Sequence, residues 1–519
     1  MMTGYPIDNG LGSWPARRAR MEPDAVALIQ GERAVSYRVL HERCAALASA
    51  FAQLSVGRGD RVAYLGPNHI ATFETLFATA SLGAVFVPLN TRLAAPEIAF
   101  MLDDCDPVLL IVAPEMAELA AAALSRSATT RQVLHLQSGN GTDYEAVLAA
   151  HAGRRPPPVD VALSEQVLIL YTSGTTGSPK GAVLTHGNLT WNTVNQFGHF
   201  SISAGDVSLC SAPLFHVLGL GQITLPTLYA GGTVVVIPKF DPGSFLATIA
   251  TRNATAFPLA PTMLQMICEH PDWATTDVSS VRVVAYGGSP VVERVAKAWL
   301  ARGIQVLQGY GMTEASPGVF MALRYGSLDR PVSAGVPHFF TDTALLTVDG
   351  RVIDGPGQGE LLVRGPNVFS GYWNRPAETA EAFHEGWFRT GDIVRIDADG
   401  WAYIVDRVKD MIISGGENVY PVEVEAAIAE LEEVASCAVV GVPDQRWGEV
   451  GLAFVVVRAG ARLSAETVRG HLTDRLARYK IPKTIEFVTD LPRNASGKLL
   501  RRPLRERARD LTHHTEEIR

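Results

Sequence analysis

The sequence predicts an α/β protein: a large N-terminal domain of layered α/β sheets with a β subdomain, followed by a small α+β domain. Three observations carry that expectation. From Tyr37 to Leu307 short apolar runs alternate with helical stretches, as in sheets covered by helices. Beyond Gly355 the alternation gives way to strands punctuated by glycine and proline. A charged break, Asp406-Arg407-Val408-Lys409-Asp410, then precedes a smaller mixture of helices and strands. The expected division is 1–408 and 409–519.

Tyr37 to Leu54 is expected to be helical, with Leu40, Cys44, Leu47, Phe51 and Leu54 at helical spacing. Asp60 to Leu65 reads as a strand, Phe73 to Ala84 as a helix and Val85 to Leu89 as a buried strand. Arg154 to Asp160 is a proline-rich linker. After it, Val167 to Leu170 looks like the end of a strand, and His186-Gly187-Asn188 leads into a helix. Thr233 to Pro238, Val281 to Val284 and Ile304 to Leu307 are further strands. Gly359 to Arg364, Gly371 to Trp373 and Trp387 to Asp392 are expected to build the β subdomain, with a hairpin at Asp399-Gly400. Beyond the break, Met411 to Gly416 and Ala438 to Val442 read as strands. Pro421 suits the first turn of a helix, and Ser464 can cap another.

Composition narrows the function. The net charge is −8 with no dense basic run, so nucleic acid is not an expected partner. Five cysteines without C-x-x-C spacing suit a reducing cytoplasm and argue against a disulfide framework or structural zinc. No apolar run reaches the ~18 residues of a membrane helix. The expected location is the cytoplasm; the oligomeric state stays open, a homo-oligomer included. Only seven of the 45 basic residues are lysines, which draws the eye to Lys180, Lys409 and Lys498.

The stretch Tyr171 to Gly181, YTSGTTGSPKG, combines hydroxyls, three glycines and one lysine after a strand. Such a loop can aim N–H groups, hydroxyls and an ammonium at a phosphate chain. It departs from the common phosphate loop, in which G-x-x-x-x-G-K-[ST] opens a helix, so a plain P-loop ATPase or kinase is disfavoured. A flexible linker has the same composition. Three strand ends carry glycine with polar residues, as ligand sites of open α/β sheets do.

Five motifs in order then resemble one family: YTSGTTGSPKG from Tyr171, QGYGMTE from Gln308, FRTGD from Phe388, DRVKDMIISGGENVYP from Asp406, and PRNASGK from Pro492. The chain resembles the adenylate-forming superfamily over nearly its whole length, in its acyl-CoA synthetase branch. The resemblance implies two half-reactions. A carboxylic acid and Mg-ATP give acyl-adenylate and pyrophosphate; the thiol of coenzyme A then displaces AMP.

It also implies roles. Thr172, Ser173, Gly174, Thr175, Thr176, Gly177 and Lys180 would hold the ATP phosphates, and Glu314 the Mg²⁺. Gly288, Ser289 and Pro290, with Gln308, Gly309, Tyr310, Gly311, Met312 and Thr313, would line the nucleotide. Asp392 would bind the ribose with Arg407 assisting, and Lys498 would stabilise charge during adenylation. His216, Val217, Leu218 and Gly219, with Gly288, Gly309, Gly311 and Met312, would border the acyl pocket. Lys409 would be the hinge of a mobile C-terminal domain, and His216, Gly415 and Gly416 would line the CoA passage. Each has a bland alternative: Glu314 and Asp392 as turn carboxylates, His216 as a packing residue, Lys498 as a solvated charge. The apolar run Val217 to Leu220 favours a hydrophobic acid, whether fatty, aryl or polycyclic, and no aspartate between Pro213 and Pro226 offers to hold a substrate ammonium. A carrier-protein thiol is the alternative acceptor, and a non-catalytic adenylate-binding relative the alternative of another class.

Overall fold

The computed structural model describes residues 8–128, 132–137, 143–172, 179–287, 293–323, 325, 329–330, 333–407, 410–414, 417–444, 447–473, 475–476, 478–494 and 499–516. The chain forms two compact units. The first comprises Met1–Pro331, Gly335–Asp342 and Val363–Phe388; the second comprises Val332–Ala334, Thr343–Leu362 and Arg389–Arg519.

The first unit is built on two sheets. A nine-stranded sheet runs in the order Val336–Pro337, Gly318–Met321, Val306–Gly311, Val283–Tyr286, Ala256–Leu259, Val207–Cys210, Thr233–Val236, Val26–Gln30 and Arg33–Ser36. A seven-stranded sheet runs Gly371–Tyr372, Lys180–Thr185, Gln166–Thr172, Val85–Leu89, Arg61–Leu65, Leu109–Val112 and Gln132–His135. Most inner strands, Val85–Leu89 among them, are parallel and covered by helices, which is why Val85 to Leu89 is buried at every position. The helix Tyr37–Gln53 buries Leu40, Cys44, Leu47 and Phe51 as their spacing predicts, whereas Leu54 is its C-cap and only half-buried. The helix His186–Phe200 starts at a capping box: Asn188 N–H donates to Thr185 Oγ1 at 3.0 Å, and Thr185 N–H to Asn188 Oδ1 at 2.8 Å.

Two expectations change here. The strand foreseen at Ile304 to Leu307 runs through the glycine motif, as Val306–Gly311, because Gly318–Met321 pairs with it antiparallel. Gly371-Tyr372 does not join the glycine-punctuated strands of a β subdomain. It pairs with Lys180–Thr185 at the edge of the seven-stranded sheet.

The second unit carries the hairpin of Trp387–Ile396, from Arg389 onward, with Ala402–Arg407, turning at Asp399-Gly400. It also holds a five-stranded sheet led by the long hairpin Val434–Asp444 and Gly448–Val457. The helix Pro421–Ala429 begins at its proline, and Ser464 Oγ accepts from Thr467 N–H at 3.1 Å to cap Ala465–Thr473. The expected strand Ala438 to Val442 is the middle of a longer one, because its hairpin partner extends the ladder at both ends.

Candidate active site

In the first unit, three segments distant in sequence meet at the carboxyl end of the strand Gln166–Thr172. Thr172 faces Lys180 across an antiparallel pair, so the chain returns on itself at this point. Tyr372 is the cross-strand partner of Ala182, two residues from Lys180 and hence on the same face of the strand. The Lys180 ammonium accordingly lies 5.5 Å from the centre of the Tyr372 ring, within reach of a cation–π contact. The Tyr372 hydroxyl donates to Glu314 Oε1 at 2.9 Å.

Glu314 sits in the turn Thr313–Ala315, just past the strand Val306–Gly311. That turn is clamped from behind. Phe369 N–H donates to the Glu314 carbonyl at 2.7 Å, and Asn367 Nδ2 donates to the carbonyls of Ala315 and Gly318 at 3.0 and 2.8 Å. Asn188 Nδ2 in turn holds the carbonyls of Pro366 and Val368. Gly311 is required by close approach: a Cβ there would stand 1.7 Å from the Pro317 carbonyl oxygen. Gln308 is buried and accepts from the Tyr286 hydroxyl at 3.1 Å, and the Tyr310 ring lies 5.7 Å from Phe320.

An ammonium and a carboxylate thus stand on either side of one phenol, and among the described residues neither forms an ion pair. Burial and the Glu314 charge push the Tyr372 hydroxyl well above its usual range, so it stays a donor. This donor set fits a phosphate chain with its Mg²⁺, because Mg²⁺ takes one or two carboxylates and completes its shell with phosphate and water. Among the described residues no group of three or more His, Cys, Asp or Glu forms a resident metal site.

Tyr171, the first residue of the loop motif, has a supporting place: its hydroxyl donates to Asp104 Oδ2 at 2.7 Å. Arg375 pairs with the other oxygen of Asp104 at 2.8 Å, and Trp373 Nε1 donates to the Asp104 carbonyl at 3.0 Å. Together they fix the edge on which Tyr372 lies. No spacing in the sequence tied Tyr372 to Lys180, and only the sheet pairing exposes it.

His216 precedes the short helix Val217–Gly221, and its ring packs 4.8 Å from that of Phe215. Its Nε2 is buried and has no hydrogen-bond partner among the described residues. Burial, with Arg92 adding to it, pushes the imidazole down to about 4, so it is neutral at physiological pH. Val217 and Gly219 are buried, whereas Leu218 and Met312 are half-buried.

In the second unit, Asp392 is buried on the strand Trp387–Ile396, and its backbone register partner is Arg407. Its N–H donates to Thr390 Oγ1 at 3.1 Å, and Glu360 binds Arg389 at 2.7 Å and the Gly391 N–H at 3.2 Å. Ser173, Gly174, Thr175, Thr176, Gly177, Gly288, Ser289, Pro290, Lys409, Gly415, Gly416 and Lys498 lie outside the described residues, as does the Arg407 side chain.

With this geometry in place, comparison with known proteins decides the family. The model for the AMP-binding enzyme matches residues 15–373, and that for the AMP-binding enzyme C-terminal domain matches 423–498. The chain belongs to the AMP-binding enzyme family. As a member it is an acid:CoA ligase, an acyl-CoA synthetase whose substrates are a carboxylic acid, ATP and CoA, with Mg²⁺. Among AMP-binding enzymes it is 47% identical to a feruloyl-CoA synthase of Amycolatopsis sp. over 96% of this chain and 99% of that one. It is 40% identical to an indoleacetate–CoA ligase of Aromatoleum aromaticum over 96% and 98%. Among solved AMP-binding enzymes, an anthranilate CoA ligase in complex with anthranoyl-AMP superposes with a TM-score of 0.91 at 26% identity, covering 98% and 99%. No described helix is long and apolar enough to cross a membrane.

Proposed function

We propose that this ligase activates an aryl carboxylic acid of the hydroxycinnamic kind. The observation that carries the reading is the 47% identity to a feruloyl-CoA synthase across nearly the full length of both chains. The indoleacetate and anthranilate ligases, both named for aryl acids, support it. The fatty-acid alternative has weaker support in a relative at 37% identity, the long-chain-fatty-acid–CoA ligase FadD13 of Mycobacterium tuberculosis.

In this reading Lys180 and the Thr172 hydroxyl hold the β- and γ-phosphates. Glu314 takes the Mg²⁺, which supplies charge neutralisation on the phosphate oxygens, and Tyr372 orients the carboxylate that takes it. An oxygen of the acid attacks the α-phosphorus as the bond to pyrophosphate breaks. Lys498 stabilises the negative charge that develops there. In the second step the CoA sulfur attacks the acyl carbon, the bond to AMP breaks and the thiol proton leaves. Asp392 holds the ribose. His216, held neutral, borders the acyl pocket at the thiol entry, and Gly415-Gly416 line the pantetheine passage. The functional division falls at 408/409, with Lys409 as the hinge between half-reactions. Five free cysteines suit a cytoplasmic location.

The test is a panel assay with Mg-ATP and varied acids, each with and without CoA, following pyrophosphate, AMP and acyl-CoA. Thioester from hydroxycinnamic acids, only with CoA, is the expected result. Thioester from fatty acids alone would overturn the aryl assignment, and pyrophosphate without thioester would point to a carrier-protein acceptor.

A further inference from the structure

The helix His186–Phe200 turns a run of polar side chains inward: Asn188, Asn192, Thr193, Asn195 and Gln196 are all buried. Three of them have evident work. Asn188 holds the loop behind Glu314, Asn195 Oδ1 accepts from Phe340 N–H at 2.9 Å, and Asn192 donates to the Gly221 carbonyl at 2.8 Å and accepts from Gly318 N–H at 3.3 Å. Gln196 has no such backbone duty and joins Asn192 to Gln222 in a polar lane. Gln222, 5% exposed, reaches to 3.6 Å from the point a Cβ on Gly309 would occupy. Its amide nitrogen donates to Gln196 Oε1 at 3.4 Å, and Gln196 Nε2 donates to Asn192 Oδ1 at 3.3 Å.

At the far end stands His338, 2% exposed, with its ring edge-on to that of His199 at 4.5 Å. A Cβ on Gly318 would meet His338 Nε2 at 2.5 Å and Gln196 Nε2 at 3.0 Å, so both nitrogens converge on one bare glycine. Neither ring nitrogen of His338 makes a well-aligned hydrogen bond among the described residues; the Asn195 main chain is the one hydrogen-bonding group that favours its protonated form. Burial, with His199 beside it, holds the His338 imidazole well below its usual range and therefore neutral. A neutral imidazole offers one donor and one acceptor, and an amide NH₂ offers two donors, of which Gln196 spends one within the lane. Leaving buried groups of this kind without hydrogen bonds carries their full desolvation cost. A purely apolar acid would leave that cost standing.

We propose that Gln196 and His338 form the distal wall of the acyl pocket and hydrogen-bond a hydroxyl at the far end of the acid. The inference rests on the aryl-acid reading above and names the group on the ring that is recognised. A phenolic hydroxyl donates once and accepts twice, the complement of an imidazole acceptor beside an amide donor. A site built this way rejects the analogue that lacks the hydroxyl far more strongly than an apolar pocket rejects a missing methyl.

The experiment is thioester formation from 4-hydroxycinnamic acid and from cinnamic acid by the full chain, compared as the ratio of kcat/KM. The wild type is expected to favour the hydroxylated acid by ~100-fold or more. His338→Phe is expected to bring the ratio within about threefold of unity, and His338→Asn to restore part of the preference. Gln196→Leu gives the same readout where His338→Phe fails to fold. Turnover of both acids by the wild type without discrimination overturns this proposal alone. So does a ratio unchanged in folded His338→Phe or Gln196→Leu, which would leave the pair as holders of structural water. Turnover of fatty acids but neither aryl acid overturns the proposal together with the reading beneath it.

Discussion

Tyr372 lies between opposite charges, its ring beneath Lys180 and its hydroxyl on Glu314. Tyr372→Phe keeps the first contact and removes the second. A hydrogen bond to a charged group is worth about 1.5–3 kcal/mol, so adenylation at limiting Mg²⁺ is expected to fall roughly 10- to 100-fold. High Mg²⁺ should recover part of the loss. A Mg²⁺ titration of pyrophosphate release checks it, and a profile superposing on the wild type would reduce the hydroxyl to packing. Lys180 and Glu314 were legible in the sequence because each stands in a motif of definite chemistry. Tyr372 was not, since its relation to them is a strand pairing across nearly two hundred positions, which no local pattern encodes. Gln196 and His338 were hidden for the same reason: a helix residue and a loop residue converge on a glycine that neither neighbours in sequence.

The element that positions the carboxylate is the strand Val306–Gly311 with the turn after it. Its glycines weaken any strand propensity, so the sequence marks a shorter strand than the one that forms; pairing with Gly318–Met321 overrides the local preference. The buried parallel strands were plain in sequence because both faces are covered and the apolar runs are continuous. The edge strand Gly371–Tyr372 joins a different sheet from the strands that flank it in sequence, because two residues carry no information about their partner. Gly311→Ala would set a methyl against the Pro317 carbonyl, and the backbone must move to admit it. The expected cost is at least about 2 kcal/mol in denaturant unfolding, with adenylation reduced as Glu314 shifts. Unchanged stability and activity would show that the close approach is not needed.

Over the whole molecule, the α/β class and the small α+β partner followed from the alternation of elements and the charged break. The strand order of the two sheets did not, because crossovers leave no trace in composition. Nor do 13 histidines announce which are buried. Burial pushes His186, His199 and His216 each down to about 4, and holds His338 well below its usual range. The unfolded chain binds these protons near the ordinary histidine value and the folded chain does not. Stability is therefore full above about pH 6.5 and falls as the pH drops toward 4, by ~1.4 kcal/mol per pH unit for each histidine. Asp8, raised to about 6 by burial, opposes this with one group because its folded form takes up a proton first. The melting temperature should drop steadily from about pH 6.5 to about pH 5; a flat profile would contradict the burial of neutral imidazoles.

The central claim is that Lys180 and Glu314 form the phosphate and Mg²⁺ end of an adenylation site. Acid-dependent exchange of labelled pyrophosphate into ATP tests it most directly, with the wild type, Lys180→Ala and Glu314→Gln compared on 4-hydroxycinnamic acid. The account predicts exchange in the wild type that needs both the acid and Mg²⁺, and a loss on the order of 100-fold in each folded variant. Exchange at wild-type rates in Glu314→Gln would contradict it.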